Sequence, residues 1–273
     1  MKRIPQKMTR LPALALALLA LALPALCNVP GSLRVRSNNA TYQGTIRWKG
    51  TEKKYEITTT DGRTFSFSAN DVQIIIPRPP ALDKALVDLR EGKFASVVSG
   101  LNPILQNYIN FPFDEEIAST LANAYLGQKN AEEAVKVCER IANPNARPEA
   151  AYKGGMVSAY WNALLTLNRV EKLNDLLEKA IKTGDIPAMA QAAVLRGDML
   201  LRVANPTGND YRNALVDGYL RVIVLYPREA RDVLPEALFK AAQCFDKMGQ
   251  SVRAQTFRNQ LADQFPESVW ANK

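Results

Sequence analysis

The chain has 273 residues, of which 47% are hydrophobic and 23% are charged, and it carries a formal net charge of +8. This composition is typical of one or two globular domains and differs from that of a disordered or fibrous chain. The chain contains no histidine, which excludes Ser-His-Asp and Cys-His catalytic centres and removes the most common metal-ligating side chain.

The first 27 residues have the pattern of an export signal. Four basic residues within the first ten are followed by thirteen apolar residues, Leu11 to Leu23. A run of this length is typical of a signal-peptide core and is shorter than the roughly 20 apolar residues of a transmembrane helix. We therefore expect residues 1–27 to be a signal peptide, the mature chain to begin at Asn28, and that chain to have no transmembrane span. Its removal lowers the net charge from +8 to +4, well below that of a dedicated nucleic-acid-binding protein.

Cys27 leaves a second possibility open. It could be the lipidated cysteine of an outer-membrane lipoprotein. However, Leu26 stands where the bacterial lipobox has a small residue directly before the cysteine. The pattern favours a periplasmic or secreted protein over one with a lipid anchor.

Residues 28–76 predict a small β-rich domain. Five runs of β-branched and aromatic residues, 33–36, 42–49, 54–59, 64–68 and 72–76, are separated by turn residues, and Asp61-Gly62 is typical of a hairpin. Alternation places Tyr55, Ile57 and Thr59 on one face, and Phe65 with Phe67 on one face of the next strand. So few residues in five strands favour closure, and we expect a five-stranded β-barrel-like domain. Its basic residues also protect exposed strands from aggregation, so we expect no nucleic-acid partner.

The proline-rich segment 77–80 predicts a linker, and residues 81–273 predict helices throughout. Apolar residues at helical spacing form about five helix pairs. The inward position of the second helix of each pair recurs at intervals of 37, 39, 41 and 40 residues, at Val97, Ala134, Leu173, Ala214 and Ala254. Such a period is typical of an α-solenoid, so we expect a mainly α fold that follows the small β domain.

These repeats resemble the tetratricopeptide repeat (TPR) family. The last unit has the family's 34-residue length, with Ala242 at the small helix-contact position, Phe245 at the aromatic position, Gly249 at the turn and Pro266 at the end. The phrases LYPRE and QFPES resemble repeat ends of bacterial cell-envelope members of the family. The resemblance implies a TPR-like solenoid that serves as a non-enzymatic adaptor or scaffold without a cofactor, in cell-envelope assembly or maintenance.

The geometry of the family implies a concave groove, lined by the first helices of the pairs, that binds a protein or peptide. Short polar residues fall at equivalent places in four units and suit the amide groups of an extended peptide, although they could equally be solvated helix faces. The implied groove residues are Ser119, Asn123, Leu126, Ser158, Asn162, Leu165, Val194, Asp198, Leu201, Arg202, Phe239, Gln243 and Asp246.

Two alternatives remain open. A carboxylate enzyme acting on the cell wall needs no histidine, but it needs two acids across a cleft, one of them in apolar surroundings. The adjacent acids Asp114, Glu115 and Glu116 lie where they stabilise a helix N-terminus, so we expect no catalytic residue and no metal site. A self-assembling protein is the other alternative, because the chain ends near Trp270 without a capping helix.

The two cysteines of the mature chain, Cys138 and Cys244, fall three repeats apart. This separation exceeds the reach of a disulfide, so we expect buried free thiols.

Overall fold

The computed structural model describes residues 28–144 and 146–273. The predicted signal peptide, residues 1–27, and the alternative lipidation site Cys27 lie outside the described residues. Within the described ranges, no helix combines the length and apolar character that crossing a bilayer requires.

Residues 28–75 form a five-stranded antiparallel sheet. Its strands are β1 (Asn28–Val35), β2 (Thr41–Lys49), β3 (Lys54–Thr59), β4 (Thr64–Ser68) and β5 (Val72–Ile75), and a short 3-10 turn, Ala69–Asp71, joins the last two. The strand order is β4-β3-β2-β1-β5. The predicted faces of β3 and β4 are confirmed by their register, in which Tyr55 pairs with Phe67 and Ile57 pairs with Phe65.

The predicted closed barrel is wrong, because β4 and β5 are the two edges of an open sheet. The sheet is nevertheless strongly curled. The ring of Tyr42 in β2 lies 4.7 Å from the ring of Phe65 in β4, although β3 separates the two strands. Gly44 permits this curl, since a Cβ atom there would collide with the carbonyl oxygen of Thr58 in β3.

Closure is unnecessary because the helical part of the chain covers the apolar face of the sheet. Phe111 is only 3% exposed and packs in one cluster with the buried residues of the strands. The strand residues of this cluster include Val29, Leu33, Ile46, Ile57 and Val72.

Five helix pairs follow the sheet, as the sequence period predicts. They are α1 (Pro80–Arg90) with α2 (Phe94–Tyr108), α3 (Asp114–Gly127) with α4 (Ala131–Ile141), α5 (Val157–Thr166) with α6 (Val170–Thr183), α7 (Ile186–Leu200) with α8 (Gly208–Ala214) and α9 (Leu220–Leu225), and α10 (Leu234–Lys247) with α11 (Ser251–Gln264). A π-helical turn, Leu215–Tyr219, joins α8 and α9. A 3-10 turn, Pro148–Ala151, precedes α5.

The inward positions inferred from the repeat are buried in every pair. Val97, Ala134, Leu173, Ala214 and Ala254 all have 0% exposure. Neighbouring pairs pack on one another along the chain, with α3 against α1 and α5, and α7 against α5. Each pair therefore buries its apolar face against the next, which is the source of stability in a solenoid.

Two glycines bring the helices of the fourth pair into backbone contact. A Cβ atom on Gly218, in the π-helical turn, would lie 2.7 Å from the Cα atom of Gly197 in α7. The ring of Tyr219 then covers Gly197, where an added Cβ atom would lie 2.6 Å from the ring. Both positions require the absence of a side chain.

Candidate functional site

The loop between α2 and α3 fastens the sheet to the helices. Asn110 and Phe113 both have positive φ angles, 67° and 76°, a conformation that is uncommon for residues other than glycine. The hydroxyl of Tyr55 in β3 donates a hydrogen bond to the main-chain carbonyl oxygen of Asn110. The ring of Tyr55 also meets Phe111 edge-on, with the ring centroids 5.6 Å apart.

Beside this loop lies a cleft of about 850 Å³, which we call the sheet–helix cleft. One wall is β5 and the other is the first half of α3. Two of the predicted groove residues, Ser119 and Asn123, line the α3 wall, and Arg36 lines the cleft from the end of β1. Val72, Gln73 and Ile74 form the wall on the side of the sheet.

A buried ion pair forms the floor of the sheet–helix cleft. The Asp114 carboxylate accepts hydrogen bonds from the backbone N–H groups of Asn110 (2.9 Å) and Glu115 (2.7 Å) and lies 3.0 Å from the Arg147 guanidinium. Burial raises the pKa of Asp114, and the positive charge of Arg147 opposes that rise. Burial, together with the nearby Asp114, also raises the pKa of Tyr55 to about 12. Arg147 pairs with Asp114 by charge, while its Nε and Nη2 atoms have no hydrogen-bond partner among the described residues.

The two acids that follow Asp114 are also engaged within the protein. Glu115 lies 3.4 Å from Arg147 and accepts a 2.6 Å hydrogen bond from the backbone N–H of Gly155. Glu116 accepts two hydrogen bonds from Arg78, at 2.5 and 2.8 Å. The three adjacent acids therefore act as structural partners of two arginines.

A second cleft, of about 490 Å³, lies between the fourth and fifth helix pairs, and we call it the α7–α10 cleft. At its centre the Lys240 ammonium lies 2.6 Å from Asp198 and 2.6 Å from Glu236. The Tyr219 hydroxyl donates a 2.8 Å hydrogen bond to Asp198. Burial, followed by the negative charge of Asp198, raises the pKa of Tyr219 well above its usual value. Four predicted groove residues line this cleft: Asp198, Leu201, Gln243 and Asp246.

The remaining predicted groove residues line neither cleft. Leu165 and Val194 are buried, at 6% and 0% exposure, so their side chains cannot contact a ligand. Leu126 packs against the core, the ring of Phe239 packs at a tilt against that of Trp270, and Arg202 donates a hydrogen bond to the carbonyl oxygen of Leu165. Ser158 and Asn162 are half-buried.

The four short polar residues predicted at equivalent places in the repeats, Asn123, Asn162, Asp198 and Gln243, therefore do not form one continuous surface. Asn123 lies in the sheet–helix cleft, Asp198 and Gln243 lie in the α7–α10 cleft, and Asn162 lies in neither. Asp198 is also paired with Lys240 in the next helix pair, so the side chain at this position contributes to the packing between pairs.

Sequence reasoning missed Arg147, which connects the floor of the sheet–helix cleft to its acids. It lies in an irregular segment between α4 and the 3-10 turn that precedes α5, where no helical or strand period marks a residue as inward-facing. The proline at 148 indicates only that Arg147 has an extended backbone, and it says nothing about where the Arg147 side chain lies.

Cys138 and Cys244 are free and buried, as predicted. Cys138 belongs to the cluster formed mainly by the first three pairs, and Cys244 belongs to the cluster of the last two. Burial raises the pKa of each thiol to about 12. Among the described residues, no three His, Cys, Asp or Glu side chains are grouped as metal ligands.

Residues 236–268, which cover nearly all of α10 and α11, match the family model of the tetratricopeptide repeat. Two similar solved structures are crystal structures of the nearly identical TPR-like repeats of a Podosopora anserina putative kinesin light chain. One, of a form with a single substitution, is 14% identical, with a TM-score of 0.44, and covers 69% of this chain and 95% of that chain. The other is 15% identical, with a TM-score of 0.43, and covers 69% of this chain and 96% of that chain. No curated protein sequence matches this chain.

Proposed function

We propose that this protein is an exported, non-enzymatic scaffold that binds a protein or peptide in the clefts of its helix pairs. The observation that carries the proposal is that the matched repeat, residues 236–268, contributes Gln243 and Asp246 to a solvent-accessible cleft. Helix-pair repeats expose such surfaces because each pair contacts only its neighbours.

The chemistry of the clefts suits binding better than catalysis. The acids at the centre of each cleft have cationic partners, Arg147 in one and Lys240 in the other. Among the described residues, neither cleft holds an unpaired acid next to a second acid, which is the arrangement that a carboxylate enzyme needs. In the sheet–helix cleft, apolar residues such as Ile74, Leu86 and Leu89 lie beside polar side chains, a mixture that is typical of binding sites.

Export and a cell-envelope role form the second part of the proposal. They are supported by the basic start and apolar run of residues 1–27 and by the repeat ends LYPRE and QFPES. N-terminal sequencing of the protein from cell fractions tests export, and we expect an exported chain that begins at Asn28. A lipid-modified Cys27 would support the outer-membrane lipoprotein alternative, and an intact cytoplasmic chain would contradict export.

Peptide selection tests the binding function. We would select short random peptides on the purified protein, measure their affinity by fluorescence anisotropy, and compare Asn123→Ala and Gln243→Ala with Asn162→Ala as a matched control. We expect one of the first two variants to weaken binding about tenfold, because a lost hydrogen bond leaves its partner unpaired. Asn162→Ala should leave the affinity unchanged. A failure to select any peptide, or equal effects of all three variants, would contradict binding in the clefts.

A further inference from the structure

The free edge of β4 has main-chain groups that no strand uses. β4 pairs only with β3 among the described residues. The main-chain N–H of Ala69, directly after β4, donates to the carbonyl oxygen of Lys53, directly before β3. Bonding sides alternate along an antiparallel strand, so the main-chain groups that point away from β3 are those of Thr64, Ser66 and Ser68.

This edge is accessible and unprotected. Thr64 and Ser66 are exposed, and Ser68 is half-buried. Natural sheets protect an open edge with charged residues, proline, a bulge or a covering segment. β4, with the sequence TFSFS, contains no charge and no proline, and its register with β3 is continuous. Such an edge is a template for one more strand.

The sequence of β4 is nearly the same in both directions. An aromatic ring flanks Ser66 on each side, Phe65 and Phe67, and a residue with a hydroxyl group lies beyond each ring, Thr64 and Ser68. If two β4 strands pair antiparallel about a two-fold axis at Ser66, rings face rings and hydroxyl groups face hydroxyl groups. Both kinds of cross-strand pair stabilise a sheet. The strand that complements this edge is therefore β4 of a second copy.

The two rings at this edge are incompletely buried. Phe65 and Phe67 are half-buried, and the ring of Tyr42 packs against them with centroid distances of 4.7 and 5.2 Å. In the two-fold pairing the rings fall on residue pairs that share no hydrogen bond, where side chains lie closest together. A second β4 strand would thus cover rings that the single sheet leaves partly in water.

The charges near this edge do not oppose the pairing. On the face that carries Ser66, the charged residues of β3 are Lys54 and Glu56, one strand back from the edge. Lys54 lies 3.5 Å from Glu52, and Glu56 lies 2.7 Å from Lys49. The pairing therefore brings no uncompensated like charges into adjacent strands.

We propose that this protein forms a two-fold symmetric dimer in which the β4 strands of two copies pair antiparallel at Ser66, so that the two sheets become one. The pairing stops at two copies because the other edge does not extend the sheet. The main-chain groups of β5 that face away from β1 belong to Val72, which is 3% exposed, and Ile74, which is half-buried. An interface that uses the same strand of both copies closes on itself.

The dimer goes beyond the proposed function. β4 lines neither the sheet–helix cleft nor the α7–α10 cleft, so both clefts of each copy stay open. A dimer then presents every binding surface twice, and a ligand with two recognition segments gains affinity from the second contact.

Sedimentation equilibrium of the purified protein measures the self-association. We expect a monomer–dimer equilibrium with a dissociation constant of about 1–100 μM, because an interface made mainly by one strand is smaller than a standard one. A strict monomer at about 1 mM, or a continuing series of larger species, would overturn the proposal.

Charge substitution at Ser66 tests the position of the two-fold axis, with Gln43 as a matched control. Gln43 is exposed on the same face of the sheet, but its strand, β2, lies between β1 and β3. We expect Ser66→Lys and Ser66→Glu each to weaken dimerisation at least about tenfold, because like charges meet at the axis. An equimolar mixture of the two should restore the dimer, and Gln43→Lys should leave it unchanged. Equal effects of Ser66→Lys and Gln43→Lys would refute the β4 contact.

Amide exchange in the unaltered protein gives a test that does not depend on the folding of a variant. In the monomer the N–H groups of Thr64 and Ser66 face solvent, whereas those of Phe65 and Phe67 bond to β3. By NMR we expect exchange at Thr64 and Ser66 to slow at least about fivefold from dilute to concentrated protein, and exchange at Phe65 and Phe67 to change little. Unchanged exchange at Ser66 in a sample that sediments as a dimer would assign the dimer to another surface and contradict the proposal.

These measurements separate the dimer from the proposed function, because neither of them uses a peptide. If the protein is a monomer at every concentration and still selects peptides, the dimer is wrong and the binding function stands. If the dimer forms through Ser66 and no peptide is selected, the binding function fails and the dimer stands.

Discussion

Tyr55 in the sheet donates its hydroxyl hydrogen bond to the main-chain carbonyl oxygen of Asn110, a residue 55 positions further along the chain. The acceptor lies in the loop that also inserts Phe111 into the core of the sheet. This bond therefore fixes the loop at the point where the sheet and the helices meet. Its removal should be measurable as a loss of stability.

We expect Tyr55→Phe to lower the free energy of unfolding by about 1 kcal/mol, because the carbonyl group of Asn110 loses its donor while the ring contact with Phe111 stays. Urea unfolding measures the change. Tyr42→Phe is the matched control, since Tyr42 also packs in the sheet but its hydroxyl makes no hydrogen bond within the described ranges. Equal losses in the two variants would show that the bond to Asn110 contributes nothing.

The glycine contact in the fourth pair predicts that alanine substitution at two glycines has opposite effects on stability. Gly218→Ala should destabilise the protein by about 1–3 kcal/mol, because the new methyl group meets the backbone of Gly197. Gly100→Ala, in α2, should stabilise it by about 0.5–1 kcal/mol, since nothing lies within 4 Å of the added Cβ atom and alanine favours the helix. Thermal unfolding checks both. A stabilised Gly218→Ala would contradict the close approach.

Glu56 in β3 predicts a pH-dependent contribution to stability. Its hydrogen bond with Lys49, 2.7 Å away, and its pairing with Arg47 hold the pKa of the carboxyl group below its usual value of 4.5. A lowered pKa stabilises the fold above pH 4.5 and the contribution disappears as the pH falls through the folded pKa.

We therefore expect Glu56→Gln to be less stable than the wild type at neutral pH by a few tenths of a kcal/mol, as is usual for pairs near the surface. The two proteins should converge in acid. Glu52→Gln serves as the control because Glu52 forms a longer contact, 3.5 Å from Lys54. Denaturant unfolding at several pH values measures the difference, and a constant difference across the range would refute the linkage.

The buried thiols predict chemical inertness. Because burial raises the pKa of Cys138 and Cys244 to about 12, both remain protonated near neutral pH and should resist alkylation in the folded protein. Mass spectrometry after iodoacetamide treatment should find both unmodified until denaturant is added. Rapid alkylation of either in the native state would show that its helix pair opens.

The sequence predicted the helical part well because its constraint is local and repeated. A second helix that packs inward needs a small or aliphatic residue at one position in each unit. The residues that the period places there are all buried: Val97, Ala134, Leu173, Ala214 and Ala254. The first strand was predicted from Leu33, whereas it begins at Asn28. Pro30 and Gly31 look like turn residues, yet both pair with β2.

What the sequence could not predict depends on contacts between distant segments. The sheet stays open because Phe111 covers it, and no strand pattern contains that information. The groove residues were placed by the geometry of an ideal repeat. However, Val194 turns into the core and Asp198 turns to Lys240, which belongs to a helix that is 42 residues away. An ion pair of this separation leaves no mark in a periodic pattern.

Phe111 also changes where a boundary can be drawn in this chain. The prolines at 77–80 mark a natural cut in the sequence, but residues 28–76 alone lack the ring that completes their core. A protein that contained only residues 28–76 would therefore have a sheet with an uncovered apolar face. The smallest unit that keeps this core complete is therefore the sheet together with α1, α2 and the loop after them.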